Sequence, residues 1–320
     1  PNLPSIPHFS IAGACATGTH GSGDSNQELA AAVTALELVT ATGDPLTIER
    51  GDPDFGAAVV SLGALGVVSR LTLAIEPAYQ VAQEIHVETP LDRAIAEVDE
   101  IMAEAYSVSW FLDWQHDTVK QIWRKYRLPS GATTIDTDPD LRGGRRATTQ
   151  LALVRSADGA VLTPQLGQPG SWHERLPHVR PDRSAAPGSE LQSEYFVARA
   201  DGRAALEAVA AIGGELAPVM RLSEIRSVAA GDQWLSPFPT DQLALHFSWE
   251  NDWAALRPVL ARLEAALAPF APRPHWGKLY ELEPAAVRRR YPRFDDFVTV
   301  AERLDPDGVF RNPHLERLLG

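Results

Sequence analysis

A single cysteine, Cys15, stands among 320 residues, so there is neither a disulfide framework nor a thiolate metal site. The nine histidines are scattered and no two fall at HxxxH spacing, which removes the helix-borne zinc motif and leaves no metal expected. No apolar run approaches the ~18 residues of a membrane span. Basic charge is in the minority: 29 Lys and Arg face 42 Asp and Glu, for a formal charge of −13. That balance disfavours nucleic acid and anionic membranes as partners and predicts the acidic surface of a soluble cytoplasmic protein. No signal peptide is visible. The chain opens at Pro1 and not at methionine, so its native start is expected further upstream.

What is present reads as two domains, since 320 residues are long for one core. Ser25-Asn26-Gln27-Glu28 has the form of a capping box and predicts a short helix through Ala32. Apolar runs at 36–40 and 46–49 flank the turn Ala41-Thr42-Gly43-Asp44, a hairpin signal. Gly51-Asp52-Pro53 opens a helix near 54–61, and Gly63 and Gly66 precede a strand at 67–75. From Tyr79 a second region begins. Strands are predicted at 81–87, 109–114, 119–126, 191–197, 219–228 and 243–249, and helices at 91–105, 201–216 and 253–267. That order predicts an antiparallel sheet covered by helices, an α+β arrangement. Residues 129–188, rich in Pro, Gly and charge, predict a long functional or disordered loop. A helix at 292–304 and a turn-rich stretch at 305–312 complete the reading.

Glu224 and Arg226 lie two apart on a predicted strand, so their side chains leave one face, with Met220 and Leu222. On pattern alone a surface or rim salt bridge explains the pair. On the next strand His246 and Ser248 share one face, while Leu245, Phe247 and Trp249 share the other. This is the pattern of a half-buried sheet, in which His246 alone reads as a solvated or satisfied histidine. In Pro274-His275-Trp276-Gly277-Lys278, Lys278 falls on the side of Trp276 if the segment is extended. A lysine among His275, Trp276 and Tyr280 is desolvated, which lowers its pKa and makes it a better acid or base. Together these strands offer one face of polar groups suited to a polyol, which needs many hydrogen bonds. Residues 16–23, Ala-Thr-Gly-Thr-His-Gly-Ser-Gly, offer backbone N–H groups and hydroxyls for a phosphate. Such turns are common, and this one lacks both the P-loop lysine and the strand–GxGxxG–helix setting. His86, His116, His173 and His178 have no nameable partner and are expected on surfaces or loops.

Read together, these stretches resemble the alditol (xylitol) and aldonolactone oxidases of the vanillyl-alcohol-oxidase flavoprotein superfamily. The resemblance is carried by Leu3-Pro4-Ser5-Ile6-Pro7-His8, residues 16–23, residues 61–68, Glu190-Leu191-Gln192-Ser193-Glu194-Tyr195, Glu224-Ile225-Arg226 and His275-Trp276-Gly277-Lys278. It implies an α+β fold in which a split FAD-binding (PCMH-type) domain receives an inserted substrate cap of antiparallel sheet and helices. Residues 1–81 would be the second half of the flavin domain, 82–284 the cap, and 285–320 the return to the flavin domain. By the same resemblance Ser5, Glu224, Arg226, Ser248 and Lys278 match active-site positions, with Ser248 where related sequences resemble threonine. Ser5, Gly13, Thr17, Gly18, Thr19, Gly21, Ser22, Gly66, Val67, His275 and Asn312 would contact FAD. The implied reaction oxidises a terminal hydroxyl of xylitol or sorbitol, with hydride passing to flavin N5 and O2 reduced to H2O2. Lys278 would aid hydroxyl deprotonation, Arg226 would stabilise charge, and Glu224, Ser248 and Ser5 would hold polyol hydroxyls. The family attaches FAD to a histidine in a stretch like G-S-G-H-S. No such stretch occurs here, so the expectation is a monomeric, truncated chain lacking the N-terminal flavin subdomain and its covalent link. The alternatives are an aldonolactone oxidase or dehydrogenase, and a non-catalytic, flavin-free fragment.

Overall fold

The computed structural model describes residues 1–135, 137, 139–153, 159–183 and 190–320. The N-terminal part starts with a short helix α1 (Ile11–Ala16), absent from the sequence reading. Its N-cap Ser10 accepts a hydrogen bond from the Gly13 N–H, which satisfies one orphan donor of the first turn. The predicted hairpin forms as β1 (Val33–Val39) and β2 (Pro45–Glu49), paired Leu36 to Ile48. Gly43 turns the corner at φ 85°, a conformation that favours glycine. Helix α2 (Phe55–Val59) follows, and β3 (Val67–Leu73) pairs with the other edge of β1. The predicted capping-box helix does not form. Only a 3-10 turn spans Leu29–Ala32, and Glu28 makes no side-chain cap there. Its side chain is instead buried.

The larger sheet comprises β4 (Gln80–Pro90), β5 (Ser107–Leu112), β6 (Thr118–Arg127), β7 (Arg145–Arg146), β8 (Gly170–Ser171), β9 (Glu190–Ala198), β10 (Met220–Val228), β11 (Gln242–Glu250) and β12 (Arg273–Pro274). Its nine strands run in the order β12-β9-β11-β10-β5-β6-β4-β7, with β8 also on β4. One face is apolar. Trp110, Ile122, Tyr195, Ile225, Leu245, Phe247 and Trp249 pack there against α3 (Leu91–Ala96), α4 (Val98–Ala103), α5 (Gly202–Ala211), α6 (Gly213–Leu216) and α7 (Trp253–Leu267). Burial of each such large side chain contributes roughly 1.5–3 kcal/mol. The helix predicted at 201–216 is two, divided at the non-helical Ile212; next to it Gly213 passes so close to Trp114 that a Cβ would lie 2.2 Å from its carbonyl oxygen. The helix predicted at 91–105 likewise divides at Glu97.

The opposite face carries the polar residues, and the described parts of 139–183 lie over part of it instead of forming a free loop. There Ala147, Leu162 and Val179 pack on Ile85, Val87, Phe111 and Trp123; the stretches 154–158 and 184–189 fall outside the described residues. A register shift between Met220 and Leu222 corrects one expectation. Met220 pairs with Trp249 in the helix-side core, whereas Leu222 stays on the face of Glu224. A bulge of this kind re-aims the side chains beyond it.

A second core joins the N-terminal part to the chain's end. Leu36, Leu38, Ile48, Phe55 and Leu65 pack with Leu235, Trp276 and the apolar sides of α8 (Pro284–Arg288), α9 (Phe294–Leu304) and α10 (Pro313–Leu319). No helix among the described residues is long and apolar enough to cross a membrane.

Candidate active site

Antiparallel pairing sets Glu224 opposite His246, and His246 opposite Glu194, so the three side chains stand in one row across β10, β11 and β9. In the next row Arg226 lies between Ser109 and the small Ala244. Its guanidinium runs diagonally to Glu194 Oε1 at 2.6 Å and reaches Ser5 Oγ at 3.3 Å. The row on the other side holds Leu222, Ser248 and Gln192. Residues 275–278 were expected to be extended but form a turn, closed by Lys278 N–H to His275 C=O at 3.1 Å. The His275 N–H is paired to the edge of β9 through the Glu194 carbonyl at 2.9 Å. Trp276 leaves in another direction, with its indole N–H on Leu235 C=O at 2.7 Å and its ring against Tyr291. Lys278 therefore faces Glu194 Oε2 at 2.6 Å and His246 Nδ1 at 2.9 Å.

Glu194 is the hub. One oxygen holds Arg226 and the other holds Lys278, so the two cationic ends are no further apart than one carboxylate and two hydrogen bonds. Burial opposes ionisation of Glu194, yet Lys278 and Arg226 outweigh it and hold the carboxyl well below the usual range. Glu224 is likewise ionised: burial raises it, but Arg226 and His178 pull it lower. The histidines are held neutral. Burial, then the charge of Lys278, brings His246 down to about 3 and lowers His275 strongly. Burial and Arg226 lower His20. Lys278 is also lowered, chiefly by burial, against the attraction of Glu194. An ammonium has three donors; two are engaged, and one remains for a substrate oxygen. The lysine side chain is 17% exposed and that of Arg226 6%, so access is from the lysine end.

His20, Glu194 and His275 each offer an atom within 4.8 Å of the others. A metal ion would have to displace Lys278 and Arg226 from both oxygens of Glu194, and these cations repel it. A cavity of about 10 Å³ lies between Ser5, Gly21, Ser22, Ser109, His178 and Arg226, room for about one water. A larger one, about 280 Å³ between Arg50, Phe55, Trp234 and Arg293, shares no residue with this face.

A family model described as D-arabinono-1,4-lactone oxidase matches residues 187–318, the stretch that carries Glu194, Glu224, Arg226, His246 and Lys278. An alditol oxidase of Streptomyces sp. (strain IKD472 / FERM P-14339) is 48% identical over 320 residues, covering all of this chain and 75% of the relative. The chain belongs to the alditol oxidase family. It is therefore an oxidoreductase of the flavoprotein class that the sequence resembled. An L-gulono-1,4-lactone dehydrogenase of Mycobacterium tuberculosis (strain ATCC 25618 / H37Rv) is 31% identical over 324 residues, covering 97% of this chain and 74% of that one. Cholesterol oxidase from Brevibacterium sterolicum shares the fold at a TM-score of 0.77 and 14% identity, covering all of this chain and 76% of the other.

In this alditol oxidase family chain, Ser5, Gly21, Ser22, Glu224, Arg226, Ser248, His275 and Lys278 come together on or against the polar face. Thr17 approaches it as well, since a Cβ on Gly277 would lie 3.9 Å from the Thr17 side chain. Thr17 and Thr19 share a hydroxyl contact at 3.4 Å. Others lie elsewhere. Gly13 receives the Ser10 cap of α1, Gly66 packs on the Val39 carbonyl of β1, Val67 is exposed on β3, and Asn312 caps α10. Close approach at three loop glycines is used by the chain itself. A Cβ on Gly18 would lie 2.9 Å from Pro237, on Gly21 2.0 Å from Asn2, and on Gly23 2.3 Å from the Tyr106 carbonyl.

Two of the four unassigned histidines need correction. His178 is buried and bonds Glu224 Oε1 through Nε2 at 2.8 Å. His86 is fully buried beside Arg124. His116 and His173 are exposed, as expected, but His116 has a partner, its Nδ1 lying 3.0 Å from Asp113 Oδ1. The sequence reading also missed Glu194, His20 and Lys125. Glu194 was visible inside the stretch 190–195, and its parity on β9 was its only further signal.

Proposed function

We propose that this chain serves the FAD-dependent oxidation of the terminal hydroxyl of an alditol, such as xylitol or sorbitol, to the aldose. The observation that carries the reading is the single carboxylate, Glu194, that holds Lys278 and Arg226 together on the polar face. When bound, the flavin supplies the hydride acceptor at N5 and passes the electron pair to O2, giving H2O2. The donor set suits the electron-rich edge of such a ring: Arg226 Nε has no hydrogen-bond partner among the described residues, with Glu224 Oε1 3.6 Å away, and Lys278 has a donor in excess. Thr17 and Thr19, beside the 275–278 turn, are the hydroxyls that would hold the cofactor there.

In this reading the substrate hydroxyl enters at the exposed end of Lys278. Burial lowers the lysine's pKa and so makes the neutral amine accessible; in that form its lone pair can take the hydroxyl proton as the carbon–hydrogen bond breaks. Arg226 lies close enough to stabilise the developing alkoxide. Glu224, Ser5 and Ser248 hold the remaining hydroxyls. The Ser5–Glu224 contact is long at 3.3 Å and can give way to a polyol. We take residues 1–81 and 285–320 as the flavin-binding unit and 82–284 as the cap.

The test is peroxide formation against a panel of alditols, with the chain alone and extended by the N-terminal flavin subdomain that the resemblance implies. Xylitol or sorbitol turnover is expected in the extended form. A second reading, oxidation of an aldonolactone, is favoured by the family model over residues 187–318 and by the 31% identical lactone dehydrogenase. A lactone turned over faster than xylitol would replace the first reading with the second.

A further inference from the structure

Lys125 and His178 have no part in the reading above, yet both are buried, His178 against Glu224 and Lys125 behind it. Lys125 lies on β6 and its Nζ reaches three acceptors: the Leu176 carbonyl, the Pro177 carbonyl at 3.3 Å and His178 Nδ1 at 3.1 Å. Three acceptors satisfy an ammonium completely. His178 therefore accepts at Nδ1 and carries its proton on Nε2, which donates to Glu224 Oε1 at 2.8 Å. The edge-on rings of Phe111 and Trp123, 5.3 and 4.9 Å away, hold the imidazole plane. The same segment also pins Ser5, because the His178 and Val179 N–H groups both donate to the Ser5 carbonyl at 2.8 and 3.2 Å. The Ser5 hydroxyl then donates to Glu224 Oε2 and accepts from Arg226, each at 3.3 Å.

We propose that Lys125 and His178 are positioning residues of the oxidation site: the charged lysine fixes the histidine tautomer, and the histidine holds Glu224 ionised and aimed at the substrate hydroxyls. The proposal rests on the alditol reading for its kinetic consequence but not for its geometry. It makes the grip on substrate depend on pH. Burial brings Lys125 down to about 7, with Glu224 opposing and Arg226 assisting the fall. The lysine also faces the Trp123 ring at 5.8 Å, with Gln83 of β4 and Ser107 of β5 as its cross-strand neighbours. His178 is lowered to about 4 by burial and by Lys125, with Glu224 opposing. As pH rises through the lysine's titration, the amine gains a lone pair and His178 Nδ1 is free to donate to it. The imidazole then turns a bare Nε2 toward the Glu224 carboxylate, which repels it.

Two measurements test this. On the chain itself, 15N NMR of the imidazoles should report His178 as the Nε2–H tautomer below pH 7. It should move toward Nδ1–H as pH rises, and be in that form or in exchange at all pH values in Lys125→Met. Lys125→Arg keeps a cation that does not deprotonate in this range and should hold the Nε2–H form throughout. In the flavin-loaded enzyme, KM for the alditol should rise about 10-fold between pH 6 and 8.5, with kcat changing less than about threefold. Lys125→Arg should flatten the KM profile, and His178→Gln, which keeps one donor and one acceptor, should recover KM better than His178→Ala. A His178 tautomer indifferent to pH and to both lysine substitutions would overturn the proposal. Alditol turnover failing while the tautomer shifts as stated would overturn only the alditol reading. If Lys125→Met does not fold, the wild-type titration and Lys125→Arg decide the matter alone.

Discussion

Replacing Glu28 with glutamine should stabilise the chain, and the gain should appear only as pH rises. Glu28 is 2% exposed and its carboxyl is closely walled. A Cβ on Gly18 would lie 3.0 Å from Oε2, and one on Gly231 2.8 Å from Oε1. Neither carboxyl oxygen has a hydrogen-bond partner among the described residues, although Ser236 lies beside it. Burial pushes the carboxyl up from 4.5 to about 7, with Ser236 offsetting part of the rise and Asp232 adding to it. The folded state thus binds this proton more tightly than the unfolded state. Its stabilising effect is full below pH 4.5 and is lost as pH climbs through about 7. At ~1.4 kcal/mol per pH unit, the buried charge costs about 3 kcal/mol above pH 7. Glutamine cannot ionise, and Gln233 Oε1, itself without a hydrogen-bond partner among the described residues, lies on the same wall to accept from its amide. A net gain of about 1–3 kcal/mol at pH 8, falling to nothing near pH 4.5, is the expected outcome. Denaturant titrations of both proteins at pH 4.5, 6, 7 and 8 measure it. A difference that stays flat with pH, or a wild type that is the more stable at pH 8, would refute the argument.

In the flavin-loaded enzyme, Lys278→Ala should lower kcat by roughly 10²–10⁴-fold, the range for loss of a positioned acid or base, with KM less affected; unchanged turnover removes Lys278 from its role. Glu194→Gln leaves Lys278 and Arg226 without their shared counter-charge, and should destabilise the chain by about 3–5 kcal/mol while lowering turnover, as denaturation and steady-state kinetics would register. The chain alone should carry no covalent flavin, so its acid precipitate should be colourless; a yellow pellet contradicts this.

Much of the large sheet was legible because strand side chains alternate with a period of two. Parity alone set Glu224 and Arg226 together and opposed His246 and Ser248 to Phe247 and Trp249. Parity failed where the backbone leaves the period. The shift at Met220 put that residue on the wrong face, and the turn at 275–278 separated Lys278 from Trp276. Neither event has a local signal strong enough to read. Long-range pairing was out of reach for a different reason. Glu194 meets Lys278 across 84 positions and His178 meets Lys125 across 53, and nothing near either residue names its partner. One compositional cue was available: Lys120, Lys125 and Lys278 are the only lysines in the chain, and two of them lie at this site.

The two faces of one sheet differ in what their burial accomplishes. The helix side buries Trp110, Phe247 and Trp249 among other apolar groups, and needs nothing else to account for its stability. The other side buries Arg226, Lys125, Glu194 and Glu224 and most of Lys278. Taking those charges from water costs several kcal/mol each, and their mutual attraction at best offsets it. Apolar residues of like volume would stabilise the fold as well or better. The arrangement is therefore not explained by stability. It is explained if the charges must be fixed before a substrate arrives, because preorganised donors act most strongly where water is excluded. The departures from simple alternation, at Met220 and at 275–278, lie on strands bearing these groups or beside them, which is where such departures are expected in a functional protein.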